Sequence, residues 1–256
     1  MESGKTDKEA NFSNVPNNPS KNEKPMDEKW GFDLYPERRS ALEPTWSEIV
    51  FGGKGTEASE RLKCERRVWN VVNKSPLIKL MLGALKSAGC PVDLERHIAC
   101  EVCDNSLLGG YDQELNQVVI CQNVCTSEGR VQAALSHELV HMFDYCKNKV
   151  DFSNLDHLAC AEIKAANLTS CSFLTSLTLP RNSYFSVART HQDCVKIKAV
   201  WSMKYARNIT EETAMESVDR VFPKCYNDLE PLGRRPRRNS YDFNKAYRER
   251  YLYGYV

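Results

Sequence analysis

Ala134–Cys146, "ALSHELVHMFDYC", places His137 and His141 four positions apart, with Glu138 directly after the first. On an α-helix, residues four apart lie about 40° from each other around the axis, so the two imidazoles leave consecutive turns toward one point. Glu138 projects about 100° away from His137, off that point but within reach of a water molecule held there. Ala133, Ala134, Leu135, Leu139, Val140 and Phe143 make this helix largely apolar, and two neutral imidazoles buried without a partner would be costly. The arrangement suits one zinc ion held by three protein ligands, with Glu138 placed to accept a proton from water. A helical pair of solvated histidines is the alternative reading.

A third ligand is required. Glu162, in the Ala-rich "ACAEIKAAN", is twenty-one residues beyond His141, and a carboxylate in an apolar stretch needs a cation. The small neighbours Ala161, Ala165 and Ala166 would let its helix pack closely on the first. His157 is the rival ligand, Asp144 and Asp156 are further options, and Asp144 is alternatively a group that orients a histidine. His191 and Tyr184 are candidates for stabilising an oxyanion during hydrolysis.

Working outward, "ASERLKCERRVWNVVN" and "PLIKLMLGALKSA" repeat apolar residues at helical spacing, and Pro76 suits a first helical turn. In "HIACEVCDNSLLGGYDQELNQVVICQN", two β-rich runs flank the turn-forming pieces "LGG" and "DQELN". A small antiparallel sheet is expected there, with "NQVVICQN" either an edge strand able to add an extended peptide or a plain core strand. Thr126 or Ser127 can cap the motif helix, which runs through Val131, Leu135, Leu139 and Phe143. Three further helices follow, around residues 154–171, 182–207 and 210–229. The fold class is therefore α+β, mainly helical, with the sheet preceding the motif helix. Residues 1–57 read as a disordered arm rich in Asn, Ser, Lys, Glu and Pro, 58–228 as the zinc-peptidase domain, and 229–256 as a basic, Tyr-rich tail.

Composition excludes several function classes. The chain has 35 Lys and Arg against 34 Asp and Glu, a net charge of +1, so no overall field recruits nucleic acid or acidic lipid. The greasiest stretch, "SPLIKLMLGALKSAGC", is cut by Lys79 and Lys86, and no spanning helix is expected. The N-terminus shows no cleavable address. Eleven cysteines spread from Cys64 to Cys225 point to an oxidising compartment and leave at least one thiol unpaired. Cys100, Cys103, Cys121 and Cys125 approximate a four-thiolate zinc site, but disulfides are the favoured reading. "RRPRR" at 234–238 reads as a solvated basic tail rather than a nuclear address, and no basic–aromatic stripe marks a nucleic-acid surface.

"GCPVDLERHIACEVC", "GGYDQELNQVVICQN", "HELVHMFDYC", "HLACAEIKAANL", "HQDCV" and "NDLEPLGR" follow in the order found in a known family. From about Leu77 onward the chain resembles the mitochondrial inner-membrane metallopeptidases of ATP-synthase assembly, the ATP twenty-three family. The resemblance implies a zincin-like core and a soluble peptidase of the intermembrane space, peripheral to the inner membrane and oxidatively folded. It implies a protein substrate, the precursor of ATP synthase subunit a, and a separable chaperone role in joining that subunit to the proton-translocating ring. The family's zinc-binding histidines fall on His137 and His141 and its catalytic glutamate on Glu138. Cys64 lies outside the resemblance and is expected as the unpaired thiol. A human relative is linked to a DNA-repair complex, which gives a nuclear location as the alternative.

Overall fold

The computed structural model describes residues 56–148, 150–171, 187–237 and 241–255, so residues 1–55 of the expected arm and Tyr184 lie outside the described residues. Thr56 and Glu57 are the cap and first residue of the first helix and not part of the arm. Helix α1, Glu57–Lys74, is capped by Thr56, whose side chain accepts from the Ser59 amide. Ser75 ends α1 and caps α2, Pro76–Ser87, with Pro76 in the first turn, where a missing N–H costs nothing. A single turn, α3 (Leu94–His97), leads into three strands: β1, Ile98–Glu101; β2, Gly109–Asp112; and β3, Gln117–Cys121. The motif helix α4, Glu128–Asn148, starts at Ser127, whose hydroxyl accepts from the Arg130 amide. Val131, Leu135, Leu139 and Phe143 are all buried along it. Asn154 caps α5, Leu155–Ala165; α6 is Val187–Arg207, α7 is Glu211–Cys225 and α8 is Asp242–Glu249.

The helical content and small sheet agree with an α+β class, but the sheet is mixed rather than antiparallel. Its order is β1-β3-β2, with β3 parallel to β1 and antiparallel to β2. The β2–β3 hairpin folds back so that β3 enters between the other two strands. Its turn is closed by Asp112 Oδ1, which accepts from the amides of Glu114 and Leu115, and by Asn116 at φ 49°. The disulfide Cys103–Cys121 joins the exits of β1 and β3, which requires both strands to end on the same side. "NQVVICQN" is therefore the central strand, and β2 takes the edge beside α4. "LGG" is not a turn, because Gly109 and Gly110 belong to β2. A Cβ at Gly109 would stand 2.5 Å from the Val119 carbonyl and 3.7 Å from Glu138 Cγ, so only glycine lets this strand lie so close to its neighbours.

Buried residues form two clusters. One unites α1, α2, α4 and the sheet with Leu232, Ala246 and Tyr255; the other unites α5, α6 and α7 with Phe152 and Tyr226. Ala165 packs in the first cluster and Ala161 and Ala166 in the second, so the small residues of α5 serve both contacts. The expected solvated tail is corrected for much of 229–256. Arg234 pairs with Glu249, Arg235 donates to the Tyr226 carbonyl and covers its ring, and Arg237 pairs with Asp242. The Glu249 and Asp242 pairs fold the segment on itself, and the Tyr226 contact with burial of Leu232, Ala246 and Tyr255 docks it on the body of the protein.

Five disulfides link Cys64–Cys100, Cys90–Cys146, Cys103–Cys121, Cys160–Cys225 and Cys171–Cys194. The four-thiolate zinc reading does not hold, and the unpaired thiol is Cys125 rather than Cys64. Cys64 is committed because α1 packs beside β1, a tertiary contact that sequence spacing does not encode. Burial pushes the Cys125 thiol up to about 11, despite nearby Arg130 and Arg67. Thiol titration is expected to find none in the native protein and one per chain after denaturation without reductant. Cys64→Ser should raise the denatured count to two by freeing Cys100; three or more in the unsubstituted chain would contradict the pairing.

Candidate metal centre

His137 and His141 sit on consecutive turns of α4, and Glu162 faces them from α5. The two Nε2 atoms are 3.1 Å apart. Glu162 Oε2 is 3.4 Å from His137 Nε2, and its Oε1 is 3.5 Å from His141 Nε2. Donors placed about 2.0–2.1 Å from one tetrahedral ion stand about 3.3 Å from one another, so these three spacings fit a single shared zinc-sized cation. Glu162 Oε2 is also buried with no hydrogen bond satisfying it, an arrangement that a cation would relieve. Two imidazoles and a carboxylate form a donor set that zinc accepts in hydrolytic sites.

The rival ligands have other roles. His157 is exposed, its Nδ1 accepting from the Asp151 amide. Asp156 is gripped by Arg220. Asp144 does not orient a histidine: it receives Lys164 Nζ at 2.5 Å, and that ammonium also reaches Asp228 at 2.8 Å. Lys164 is buried two residues beyond Glu162, so this charge cluster fixes the register of α5 against α4. Burial raises Asp144 to about 6 even beside Lys164.

The electrostatics divide labour among the four site residues. Burial drives His141 down to about 4, outweighing the pull of Glu162. Burial would raise Glu162, but the two imidazoles win and hold it near 2. His137 moves the other way: burial opposes its charge, yet contact with Glu162 and proximity to Glu138 raise it above the usual histidine value. Burial lifts Glu138 to about 7, only partly offset by His137. His141 and Glu162 are thus ready to donate electron pairs at neutral pH, whereas at His137 a proton competes with a metal more strongly than at an ordinary imidazole.

Aromatic groups support the site from below. Phe152 meets His141 edge-on at 5.9 Å and stacks on Tyr145, and Tyr111 of β2 completes the cluster. His137, Glu138, His141 and Glu162 line a cavity of about 880 Å³ walled by β2 and by Trp201, Ser202 and Tyr205 of α6. A second cavity of about 450 Å³ shares His137, Glu138 and Glu162 and is lined by apolar side chains such as Leu77, Leu168 and Phe243 together with polar ones such as Gln132, Thr169 and Lys198. Glu138 therefore stands where two cavities meet.

His191 is not brought to this group. Its Nδ1 is 2.9 Å from the Tyr226 hydroxyl and its Nε2 3.3 Å from the Cys171 carbonyl, and it lines neither cavity. A lone histidine carries no spacing signal that separates a site residue from a hydrogen-bonded core residue. Sequence reading missed Trp201, Ser202 and the β2 edge, whose only cue was the glycine pair ahead of a tyrosine.

The peptidase M76 family matches residues 62–233. A Danio rerio protein named mitochondrial inner membrane protease ATP23 homolog is 40% identical over 221 residues, covering 85% of this chain and 83% of its own. The Homo sapiens protein of the same name is 40% identical over 181 residues, 70% of this chain and 72% of its own. In Schizosaccharomyces pombe, mitochondrial inner membrane protease atp23 is 32% identical over 177 residues, 68% of this chain and 94% of its own. No solved structure matches the chain.

Metal uptake is expected to weaken as pH falls through the raised His137 value, because the protonated ring cannot ligate. Glu162→Gln removes the carboxylate that raises it, so the midpoint of that pH dependence should move down while affinity at pH 8 drops by at least about tenfold. Zinc titrations of both proteins across pH check this; an unchanged midpoint and affinity would remove Glu162 from the site.

Proposed function

The chain belongs to the peptidase M76 family, and from that premise we propose that it is a zinc-dependent endopeptidase with a zincin-like catalytic unit spanning residues 58–228. The observation that carries this reading is the convergence of His137, His141 and Glu162 beside Glu138 at a cleft open to a peptide. His137, His141 and Glu162 would hold the zinc, which when bound would supply Lewis acidity to polarise a peptide carbonyl and acidify water. The remaining work falls to the protein. Strand β2 pairs on one side with β3, and its residues wall the cavity on the other, a position suited to align an extended substrate. Glu138 accepts the proton of the attacking water as its oxygen bonds to the carbonyl carbon. It then returns that proton to the amide nitrogen as the C–N bond breaks. A carboxyl titrating near 7 is matched to both transfers at neutral pH.

By resemblance, the substrate is the precursor of ATP synthase subunit a, and the protein also assists assembly of the membrane sector without cleaving. Its place is the intermembrane space, peripheral to the inner membrane. Five disulfides favour such an oxidising compartment, and no helix among the described residues is long and apolar enough to cross a membrane.

Glu138→Gln keeps the side chain's shape and removes its basicity. The variant is expected to bind one zinc per chain and to lose peptide cleavage by roughly 10²–10⁴-fold, with any assembly role intact. Parallel assays of metal content, cleavage and assembly in depleted mitochondria check this. Cleavage at the unsubstituted rate would remove Glu138 as the base, and loss of assembly with the protein folded and zinc-loaded would join the two roles.

A further inference from the structure

Helix α6 reaches the metal-ligand group at Ser202, which lines the same cavity as His137, His141 and Glu162. The residue before it, Trp201, and the one three after it, Tyr205, wall the 880 Å³ cavity. These are among the least covered large side chains of the described protein, Trp201 being 71% exposed and Tyr205 54%. Ile197 precedes Trp201 by one turn on the same helix face and extends the apolar stripe outward. The Tyr205 hydroxyl stands 3.3 Å from Ser106 Oγ, on the loop between β1 and β2, so the wall reaches across to the sheet side of the cleft.

A wide, exposed indole in the wall of the cavity that Glu138 also lines releases its burial energy only when something covers it. The cavity lining also carries Asp104, Asp112 and Glu114, whereas Arg207, its only Lys or Arg among the described residues, donates its guanidinium to the Phe152 carbonyl. An acidic occupant would be repelled, whereas an apolar side chain within a neutral or cationic stretch is not. A peptide extended along β2 projects alternate side chains to opposite faces, so one set turns toward α6.

We propose that Trp201 and Tyr205 form the specificity wall of the cleft, packing an apolar or aromatic substrate side chain next to the scissile bond. The proposal rests on the peptidase reading of the same site, so its test separates the two. Short fluorescent peptides of neutral or single positive charge, differing only in Leu, Phe, Ala or Asp at one flanking position, are titrated by anisotropy into the full chain carrying Glu138→Gln. Leu and Phe peptides are expected to bind at least about fivefold tighter than Ala and Asp peptides. Adding Trp201→Ala should erase the difference, and Trp201→Phe should restore it, with thermal melting unchanged because the indole is mostly in water.

Equal affinity for all four peptides, or a preference that survives Trp201→Ala, overturns the wall. Cleavage by the zinc-loaded chain with Glu138 intact, but without side-chain preference, overturns it and leaves the peptidase reading standing. Selective binding without cleavage by that chain upholds the wall and sinks the peptidase reading. If Trp201→Ala spares peptide binding but lowers retention on vesicles of phosphatidylcholine and phosphatidylglycerol, the stripe is a membrane contact and the proposal fails.

Discussion

A buried carboxylate facing two imidazoles is the interaction on which the architecture turns. Glu162 comes from α5 and the histidines from α4, and each of the two apolar clusters has one of these helices as a principal member. The site therefore forms only when the clusters are docked. Lys164 contributes to that docking by joining Asp144 of α4 to Asp228 beyond α7, in a region where an unpaired charge would be costly. Disulfides Cys160–Cys225 and Cys171–Cys194 tie α5 and the turn after it to α7 and α6. Glu162 is thus held from both its own helix and its neighbours.

Much of the site was legible because helical geometry is local. Four-residue spacing brings His137 and His141 together whatever surrounds them. A carboxylate among alanines singled out Glu162, since buried charge demands a partner. The sheet was less legible: strand order depends on which edge the β2–β3 hairpin folds over, and that choice is made by packing on α4 and by the closeness Gly109 allows. Cysteine pairing was hidden for the same reason, as Cys64 and Cys100 meet only because α1 lies against β1. Asp144 and His191 show the limit from the other side. Each is a plausible site residue by type, but Lys164 takes the first, and Tyr226 with the Cys171 carbonyl takes the second. The C-terminal arginines looked solvated because charge runs normally are, yet their acceptors lie within the folded chain.

The cleft's polarity follows from the same construction. Gly109 lets β2 run close over Glu138, which keeps that carboxylate desolvated and lifts it toward neutrality. On one side lies a roomy cavity with acidic and aromatic walls; on the other, a smaller one of mixed polar and apolar lining.

X-ray absorption at the zinc edge of purified, disulfide-intact protein tests the central claim most directly. The account predicts one ion coordinated by two imidazole nitrogens and carboxylate or water oxygens at about 2.0–2.1 Å, with no sulfur. A sulfur shell at about 2.3 Å, or a folded, oxidised protein that takes up no zinc when supplied with it, would contradict it.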